Sequence, residues 1–163
     1  MFESLWVKVK ISNNESRILG NIYRPNTLPL ADPQLHNKFL AEILTFLATS
    51  KEHKNCQIHL MGDFNLDLIK FNQHKPTEEF LDSMFNFGFL PTITKPTRIH
   101  GAATLIDNIF TSSKCNIQSG IILNDISDHN MTFVIEEVST KFKEETIFKP
   151  EMTKKISIFF AIL

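Results

Sequence analysis

The chain has 163 residues, of which 42% are hydrophobic, and it carries seventeen lysine and arginine residues against eighteen aspartate and glutamate residues. This length fits one domain with a core of its own. The fifteen phenylalanines and only five glycines exclude collagen-like, low-complexity and broadly disordered proteins. The net charge of −1 gives no overall attraction to nucleic acid or acidic lipid, so binding of either has to be local.

Membrane insertion and secretion are not expected. The longest apolar run, 156–163, has eight residues, whereas roughly 18 are needed to span a bilayer. The first eleven residues lack the basic segment of a secretory signal. Two cysteines, Cys56 and Cys115, are too few for a disulfide framework or a zinc site. These features predict an intracellular chain with free thiols and no membrane partner.

The first predicted elements are a hairpin and a helix. Apolar residues alternate with polar ones over 5–11, and a turn-forming cluster separates this run from a second one at 17–23. This pattern predicts two antiparallel strands. Asp32 and Pro33 are typical residues for the start of a helix, and the apolar spacing that follows predicts an amphipathic helix that ends near Ser50.

The middle of the chain alternates short strands with a second helix. A strand is predicted at 57–61, bounded sharply by Gly62, and a helix is predicted to begin near Pro76 and to stop at Gly88. Further strands are expected at 89–93, 105–111, 117–123 and 131–137. This alternation predicts a mixed α/β layered fold.

The pattern is lost after Glu137. The segment 141–155 is charged and aperiodic, which is typical of a solvated linker or tail. The predicted organisation is therefore a domain at 3–137 followed by a tail at 138–163.

Gly62-Asp63-Phe64-Asn65 follows directly after the apolar run IHLM. Loops at strand ends carry functional groups because the sheet fixes their backbone. Asp63 and Asn65 are two residues apart, so in extended geometry both side chains point to one side. A carboxylate can take a proton from water or bind a hard cation, and an amide can hold that water or a phosphate oxygen. The alternative is an ordinary turn around a buried Phe64.

Three further positions are candidates. His129 lies beside Asp128, so it can be held cationic and donate to a phosphate, or the two residues simply end a strand. Asp107 lies in an apolar stretch, where it either orients a histidine or faces water at a strand end. Tyr23 closes the second strand and can offer its hydroxyl to a phosphate, or it is a half-buried strand-end residue.

In chain order, IYRPN, GDFN, TLIDNIF and SDH resemble the second half of the endonuclease/exonuclease/phosphatase superfamily. The longer phrases GFLPTITKPTRI, ATLIDNIFT and SGIILNDISDHN resemble the endonuclease domain of non-LTR (LINE-type) retrotransposons. The resemblance covers about residues 3–136. It implies the C-terminal part of a four-layer α/β sandwich, with two mostly antiparallel sheets and outer helices, and phosphoester hydrolysis with a divalent cation, usually Mg²⁺.

The resemblance also implies roles for the candidate residues. Tyr23 would contact the scissile phosphate, Asp63 would orient or deprotonate the attacking water, and Asn65 would position that water and a phosphate oxygen. Asp107 would orient His129, and His129 would hydrogen-bond the phosphate and stabilise its growing charge.

Other residues are expected around this centre. By the resemblance, Asp128 would support the metal site directly or through water, and Thr104 would lie near the nucleic-acid surface. Arg24, Lys95 and Arg98 are loop cations that either follow a nucleic-acid backbone or are ordinary surface charges.

The sequence departs from the family at its start. The family's first half supplies an asparagine and a glutamate, the latter the principal metal ligand, and Glu3 and Glu15 do not match that motif. We therefore expect a first sheet reduced to its final strands, with an apolar patch left exposed. By the resemblance, a reverse transcriptase would follow this domain in the parent element.

These observations predict a truncated retroelement-type endonuclease domain. Its ancestral activity is Mg²⁺-dependent nicking of DNA with water as the nucleophile, and the isolated chain is expected to be inactive or very weak. One alternative is a non-catalytic remnant that binds nucleic acid or another partner. Another is a phosphatase or phosphodiesterase of the same superfamily that acts on small or lipid esters. A gene fragment without a role of its own also stays open.

Overall fold

A computed structural model describes residues 2–26, 33–50, 56–112, 116–140 and 154–162. Within these ranges, helix α1 spans Pro33–Ser50, helix α2 spans Lys75–Asn86, and a 3-10 helix spans Leu68–Gln73. The strands are β1 Glu3–Lys10, β2 Ser16–Tyr23, β3 Cys56–Asp63, β4 Leu90–Pro91, β5 Arg98–His100, β6 Ala102–Thr104, β7 Asp107–Thr111, β8 Ile117–Ile122, β9 Met131–Thr140 and β10 Lys154–Ile162. None of the described helices is long and apolar enough to cross a bilayer.

The larger sheet has five strands in the order β1-β2-β3-β7-β4. β1 and β2 form the predicted antiparallel hairpin. β2 and β3 are parallel, a pairing that needs a long crossover, and α1 lies within it. The pairs of β7 with β3 and with β4 are antiparallel. As a result, the last residues of β2 and β3 and the first residue of β7 meet at one end of the sheet.

Both helices pack on one face of this sheet. Along β3, Ile58 and Leu60 point to the helices and are almost completely buried. The helices contribute to the same core the side chains of Phe39, Ile43, Leu47, Phe80, Leu81 and Met84. Each such side chain contributes roughly 1.5–3 kcal/mol when it is fully buried, so this interface is the main source of stability.

The opposite face of the large sheet carries a second sheet, with strand order β10-β9-β8. Val134 of β9 packs there against Met61 and Ile109. Next to this small apolar cluster, Arg17 Nε donates to Glu136 Oε2 at 2.7 Å, and both side chains are 0% exposed. His59 Nε2 lies 3.2 Å from the same oxygen. Buried charges therefore join the two sheets together with apolar contacts.

The mixed α and β class predicted from the sequence is confirmed. The described residues form three layers: the two helices, the large sheet and the second sheet. β5 and β6 make a separate two-stranded hairpin. The domain limits 3–137 and 138–163 stay a prediction. Within the second range, Lys154–Ile162 pairs antiparallel with β9.

Some predicted boundaries differ from the structure. β3 does not stop before Gly62 but runs through it to Asp63. Gly62 has a φ of +141°, and the carbonyl oxygen of Ile22 on the neighbouring strand occupies the place of a Cβ atom. Close approach of two strands, rather than a tight turn, therefore requires glycine here. Gly88, with a φ of +76°, does follow α2 as predicted.

Two predicted strands are shorter than expected. The run at 105–111 becomes a strand only from Asp107, because the carbonyl groups of Leu105 and Ile106 instead accept hydrogen bonds from the loop after β3. The run at 89–93 is paired only at Leu90–Pro91. The predicted helix cap Asp32, the thiol of Cys115 and most of the charged segment 141–155 lie outside the described residues.

Candidate active site

Three of the candidate residues lie at the end of the large sheet where β2, β3 and β7 meet. Tyr23 closes β2 and lies opposite Asp63, the last residue of β3. Asp63 lies in turn opposite Asp107, the first residue of β7. The strand pairing thus brings together positions that are 40 and 44 residues apart, from Tyr23 to Asp63 and from Asp63 to Asp107. Backbone hydrogen bonds between the strands therefore fix these three positions independently of side-chain contacts.

Asn65 is held beside Asp63 by a tight turn. Its φ is +47°, a left-handed conformation that asparagine tolerates better than most residues. Its backbone N–H donates to Asp63 Oδ1 at 2.9 Å, and its Nδ2 donates to Asp63 Oδ2 at 2.9 Å and to the carbonyl oxygen of Arg24 at 2.7 Å. The two side chains do lie together as predicted, but the turn brings them together rather than an extended chain.

Asp107 and His129 form a pair. Both carboxylate oxygens of Asp107 lie 3.1 Å from His129 Nδ1, and the two side chains are 15% and 26% exposed. A carboxylate at Nδ1 favours the ring with its proton on that nitrogen and orients Nε2 away from Asp107. The structure therefore brings together the histidine and the orienting carboxylate that the sequence predicts.

The loop that carries His129 is anchored to the segment before β7. The N–H of Asn130 donates to the carbonyl oxygen of Thr97 at 2.7 Å, and Thr97 Oγ1 accepts from the N–H of Asp107 at 3.1 Å. Thr97 is fully buried and thus fixes both members of the Asp107–His129 pair. Sequence reasoning missed this residue, since a threonine in a loop gives no pattern of its own. The signal that could have found it was its place in the phrase GFLPTITKPTRI, which carries the resemblance.

Burial and a neighbouring charge act on Asp63. Desolvation first, and then the negative charge of Asp107, hold the pKa of Asp63 at about 6. Hydrogen bonds from Asn65 and the nearby His129 lower it in part. A carboxyl group with a pKa near 6 can exist in either protonation state near neutral pH, which is the property of a general base or acid.

Asp63, Asp107 and His129 also form a potential cation site. One ligand atom of each lies within 4.8 Å of those of the others. Carboxylate oxygens are the donors that Mg²⁺ prefers, and Mg²⁺ keeps several water ligands, so two carboxylates fit such an ion. A cation here would relieve the repulsion that raises the pKa of Asp63. His129 Nδ1 is already engaged by Asp107, which leaves the carboxylates as the better donors.

Asp128, predicted as a metal residue, is not part of this cluster. Its Oδ2 accepts from Arg98 Nε at 2.7 Å and lies 4.0 Å from His100 Nδ1. The hydrogen bond from Arg98 lowers the pKa of Asp128. Tyr23 is 47% exposed, so its ring borders the cluster without being buried in it. The centre therefore consists of four predicted residues, with Tyr23 and Asp128 at its margin.

The predicted nucleic-acid contacts have different environments. Lys95 is exposed, Arg98 is half-buried, and Thr104 is half-buried with its carbonyl oxygen accepting from the N–H of Thr97. Arg24 does not lie at the surface as expected: it is 1% exposed, and its guanidinium group lies 5.7 Å from the ring centre of Phe39. Desolvation lowers the pKa of Arg24. Its side chain lies against Phe39 of α1, which explains the burial.

Two solved structures resemble this chain. The endonuclease domain of TRAS1, a telomere-specific non-LTR retrotransposon, superposes with a TM-score of 0.55 at 16% sequence identity, over 80% of this chain and 59% of that domain. An endonuclease/exonuclease/phosphatase family protein from Leptotrichia buccalis C-1013-b gives a TM-score of 0.46 at 17% identity, over 80% of this chain and 58% of that protein. No protein-family model matches the chain, and no curated protein matches it significantly.

The likeness to the TRAS1 domain confirms the fold that the sequence motifs predict. At 16% identity it establishes the fold alone. The chain spans 59% of the length of that domain.

Proposed function

We propose that the chain carries the hydrolytic centre of a divalent-cation-dependent endonuclease that nicks DNA. The observation that carries the proposal is the joint position of the Asp107–His129 pair and the Asp63–Asn65 pair at one end of the large sheet. A phosphodiester is anionic, so its hydrolysis needs a group that activates water and donors directed at the charge that develops on phosphate. The two pairs offer these two functions.

Each residue has a separate role in the proposed reaction. Asp63 accepts the proton of the attacking water, since its raised pKa makes it a better base than an ordinary carboxylate. Asn65, fixed to Asp63 by two hydrogen bonds, positions that water. Asp107 holds the Nδ1 proton of His129, so that Nε2 donates to a phosphate oxygen. Tyr23, exposed at the adjoining strand end, contacts the same phosphate from the side.

The carboxylates of Asp63 and Asp107 are the groups that would hold the cation, with Asp128 outside this contact and paired with Arg98. When bound, Mg²⁺ would polarise the phosphoryl oxygens and neutralise part of their charge. We expect very low activity of the chain by itself, because the glutamate that the resemblance gives as the principal metal ligand has no match in this sequence.

DNA is the proposed substrate for two reasons. The solved domain that shares the fold is the endonuclease domain of a telomere-specific non-LTR retrotransposon. Lys95 and Arg98 in addition flank Thr97, which anchors His129, so they can contact a backbone that enters the site. We further propose that the domain derives from a retroelement polyprotein with a downstream reverse transcriptase, on the phrases quoted above.

Nicking of supercoiled plasmid in Mg²⁺ tests the catalytic proposal. We expect slow nicking by the purified chain, and none after addition of a chelator or after Asp63→Ala or His129→Ala. His100→Ala is the matched control, since His100 is 77% exposed and belongs to no cluster with Asp63, and it should keep the wild-type rate.

The outcomes separate the hypotheses. Equal nicking by the wild type and by His129→Ala would show that another protein in the preparation cleaves the DNA, and the catalytic proposal would be wrong. Efficient nicking that depends on both residues would confirm catalysis and contradict the expected low activity. Turnover of small phosphate esters without nicking would favour a phosphatase, and salt-dependent DNA binding without cleavage would favour a non-catalytic remnant.

A further inference from the structure

Two buried polar side chains lie together beneath α1, and neither takes part in the proposed reaction. Ile18 and Ile22 of β2 face the helices, and Arg24 continues this alternation just beyond the end of the strand. Its guanidinium carbon lies 5.7 Å from the ring centre of Phe39, and the ring of His36 lies 6.5 Å from that of Phe39. Arg24 is 1% exposed and His36 is 3% exposed. The two side chains are therefore enclosed on either side of the same aromatic ring.

Four nitrogen atoms of these two side chains have no hydrogen-bond partner among the described residues. They are Nε and Nη1 of Arg24 and Nδ1 and Nε2 of His36, and all four are buried. Glu79 Oε2 of α2 lies 3.8 Å from His36 Nε2, which is beyond hydrogen-bond distance, and Glu79 is 42% exposed. Proteins pair almost all of their buried polar atoms, so this group of nitrogen atoms indicates a partner other than the protein, either water or an ion.

The charge of Arg24 favours an anion over water as that partner. A guanidinium group keeps its proton in proteins, and an unpaired buried charge is far more costly than an unpaired neutral group. Burial lowers the pKa of Arg24, and the attraction of Asp63 opposes this shift without cancelling it. A water molecule would satisfy the nitrogen atoms but leave the charge uncompensated, whereas an anion does both.

We propose that Arg24 and His36 bind a small monovalent anion, chloride, between α1 and the end of β2. Arg24 supplies the positive charge and N–H donors. Burial, and after it the charge of Arg24, lowers the pKa of His36, so the ring is neutral and offers one N–H. Glu79 lies on the Nε2 side of this ring, which leaves Nδ1 to donate to the ion. Because all four nitrogen atoms are buried, the site suits a single atom little larger than water and excludes a phosphate of a DNA backbone.

The ion would also support the turn at the candidate active site. The N–H of Arg24 donates to the carbonyl oxygen of Asp63 at 2.9 Å, and the carbonyl oxygen of Arg24 accepts from Asn65 Nδ2 at 2.7 Å. An anion that fixes the side chain of Arg24 therefore also restrains the backbone to which Asp63 and Asn65 are bonded. This link between ion binding and the stability of the turn holds whatever reaction the site performs.

Thermal unfolding of the full chain at constant ionic strength tests the proposal, with chloride exchanged for gluconate, an anion too large for the site. Since only the folded state holds the ion, the melting temperature of the wild type should rise by about 3–6 °C for each tenfold increase in chloride above its dissociation constant. Arg24→Met keeps an apolar contact with Phe39 but lacks the charge, and it should lose this response. Lys38→Met removes the same charge from an exposed position of α1 and should keep it. General effects of the salts on stability are common to both variants.

Diffraction gives an independent readout that does not require Arg24→Met to fold. In wild-type crystals grown in bromide, anomalous scattering should show an ion between Arg24 and His36. The absence of a peak there would overturn the proposal and show that water alone pairs with these nitrogen atoms. An equal response to chloride of the wild type and Arg24→Met would overturn it as well. Neither measurement involves DNA cleavage, so failure of this proposal and failure of the proposed function are distinguishable.

Discussion

Two clusters of this molecule join a carboxylate to a histidine, and they differ in burial and in their third member. Between the sheets, Glu136 lies 3.2 Å from His59, and Arg17 donates to it at 2.7 Å; all three side chains are 0% exposed. At the end of the large sheet, Asp107 lies 3.1 Å from His129, and both are partly exposed. There the third member is another carboxylate, that of Asp63.

The third member decides what each cluster can do. Arg17 neutralises Glu136 in a site closed to solvent, so no substrate can reach it and its effect is on stability. At the sheet end, burial and then the charge of the second carboxylate hold the pKa of Asp63 near 6. A bound cation would relieve that repulsion. The contrast teaches that the same pair of residue types stabilises the fold where its charge is compensated, and leaves a carboxyl group that can titrate near neutral pH where it is not.

Substitution of Arg17 should give the largest effect on the free energy of unfolding. Arg17→Met leaves the buried carboxylate of Glu136 without its guanidinium partner, and removal of one member of a buried ion pair typically costs about 3–5 kcal/mol of unfolding free energy. Urea denaturation of the wild type and the variant measures this difference.

Two controls identify the cause. The double variant Arg17→Met with Glu136→Leu removes both charges and should recover most of the lost stability. Lys75→Ala breaks an exposed pair with Glu78 and should cost well under about 1 kcal/mol. A double variant no more stable than the single one would show that packing, and not the unpaired charge, dominates between the sheets.

Asp107→Asn should act on catalysis instead. The amide no longer holds the Nδ1 proton of His129 as a carboxylate does, and loss of such an orienting partner lowers activity by about 10- to 100-fold. The nicking rate per folded molecule is the measurement, with unfolding by urea as the parallel readout. Glu136→Gln is the matched change in the other cluster and should lower stability while leaving that rate unaltered. Equal effects of both variants on the rate would break the distinction between the clusters.

The candidate site was predictable from sequence because it lies on strand ends. The motifs around Asp63 and Asp107 each combine an apolar run with a polar residue at its boundary, and strand pairing then brings them together. The order of the motifs identified the fold, although no single one could. The cost of an unpaired carboxylate in an apolar stretch marked Asp107 as a candidate, and the resemblance to the superfamily gave His129 as its partner.

The buried ion pair and the environments of Arg24 and Asp128 could not be predicted from the sequence, because they depend on contacts between segments that are far apart in the chain. Arg17 and Glu136 are 119 residues apart, and neither has a local pattern that marks it as buried. Arg24 looks like a loop cation in the sequence and is buried only because α1 covers it. Asp128 adjoins His129 in the chain, but its pairing with Arg98 turns it away from the cluster.

The protonation of Asp63 should give a smaller, pH-dependent effect on the free energy of unfolding. Its pKa is about 6 in the folded state against a reference of 3.8, so between these values the folded state retains a proton that the unfolded state has released. The free energy of unfolding therefore falls as pH rises through this range. Asp63→Asn lacks this loss and should gain on the wild type by about 1 kcal/mol between pH 4 and pH 7, after allowance for partial exposure.

Thermal unfolding over this pH range measures the gain, and Asp125→Asn, at an exposed position, is the control with no such trend. In the wild type, nicking in Mg²⁺ should rise with pH and level off below pH 6, since the base must be ionised and a cation bound at Asp63 would lower its pKa. A difference between the variant and the wild type that does not change with pH would mean that Asp63 carries an ordinary carboxyl group.

Arg98→Ala should give the smallest change in stability and still inform on the substrate. Its ion pair with Asp128 is about one-third exposed on both sides, so we expect only a small loss of stability. If Arg98 contacts a DNA phosphate, the variant should lower the slope of log affinity against log salt concentration by about 1. Fluorescence anisotropy with a labelled duplex measures the slope. Lys75→Ala, on α2, removes the same charge from the same molecule and should leave it unchanged. An equal slope for both variants would show that Arg98 contacts no DNA phosphate. The Arg98–Asp128 pair would then take no part in DNA binding.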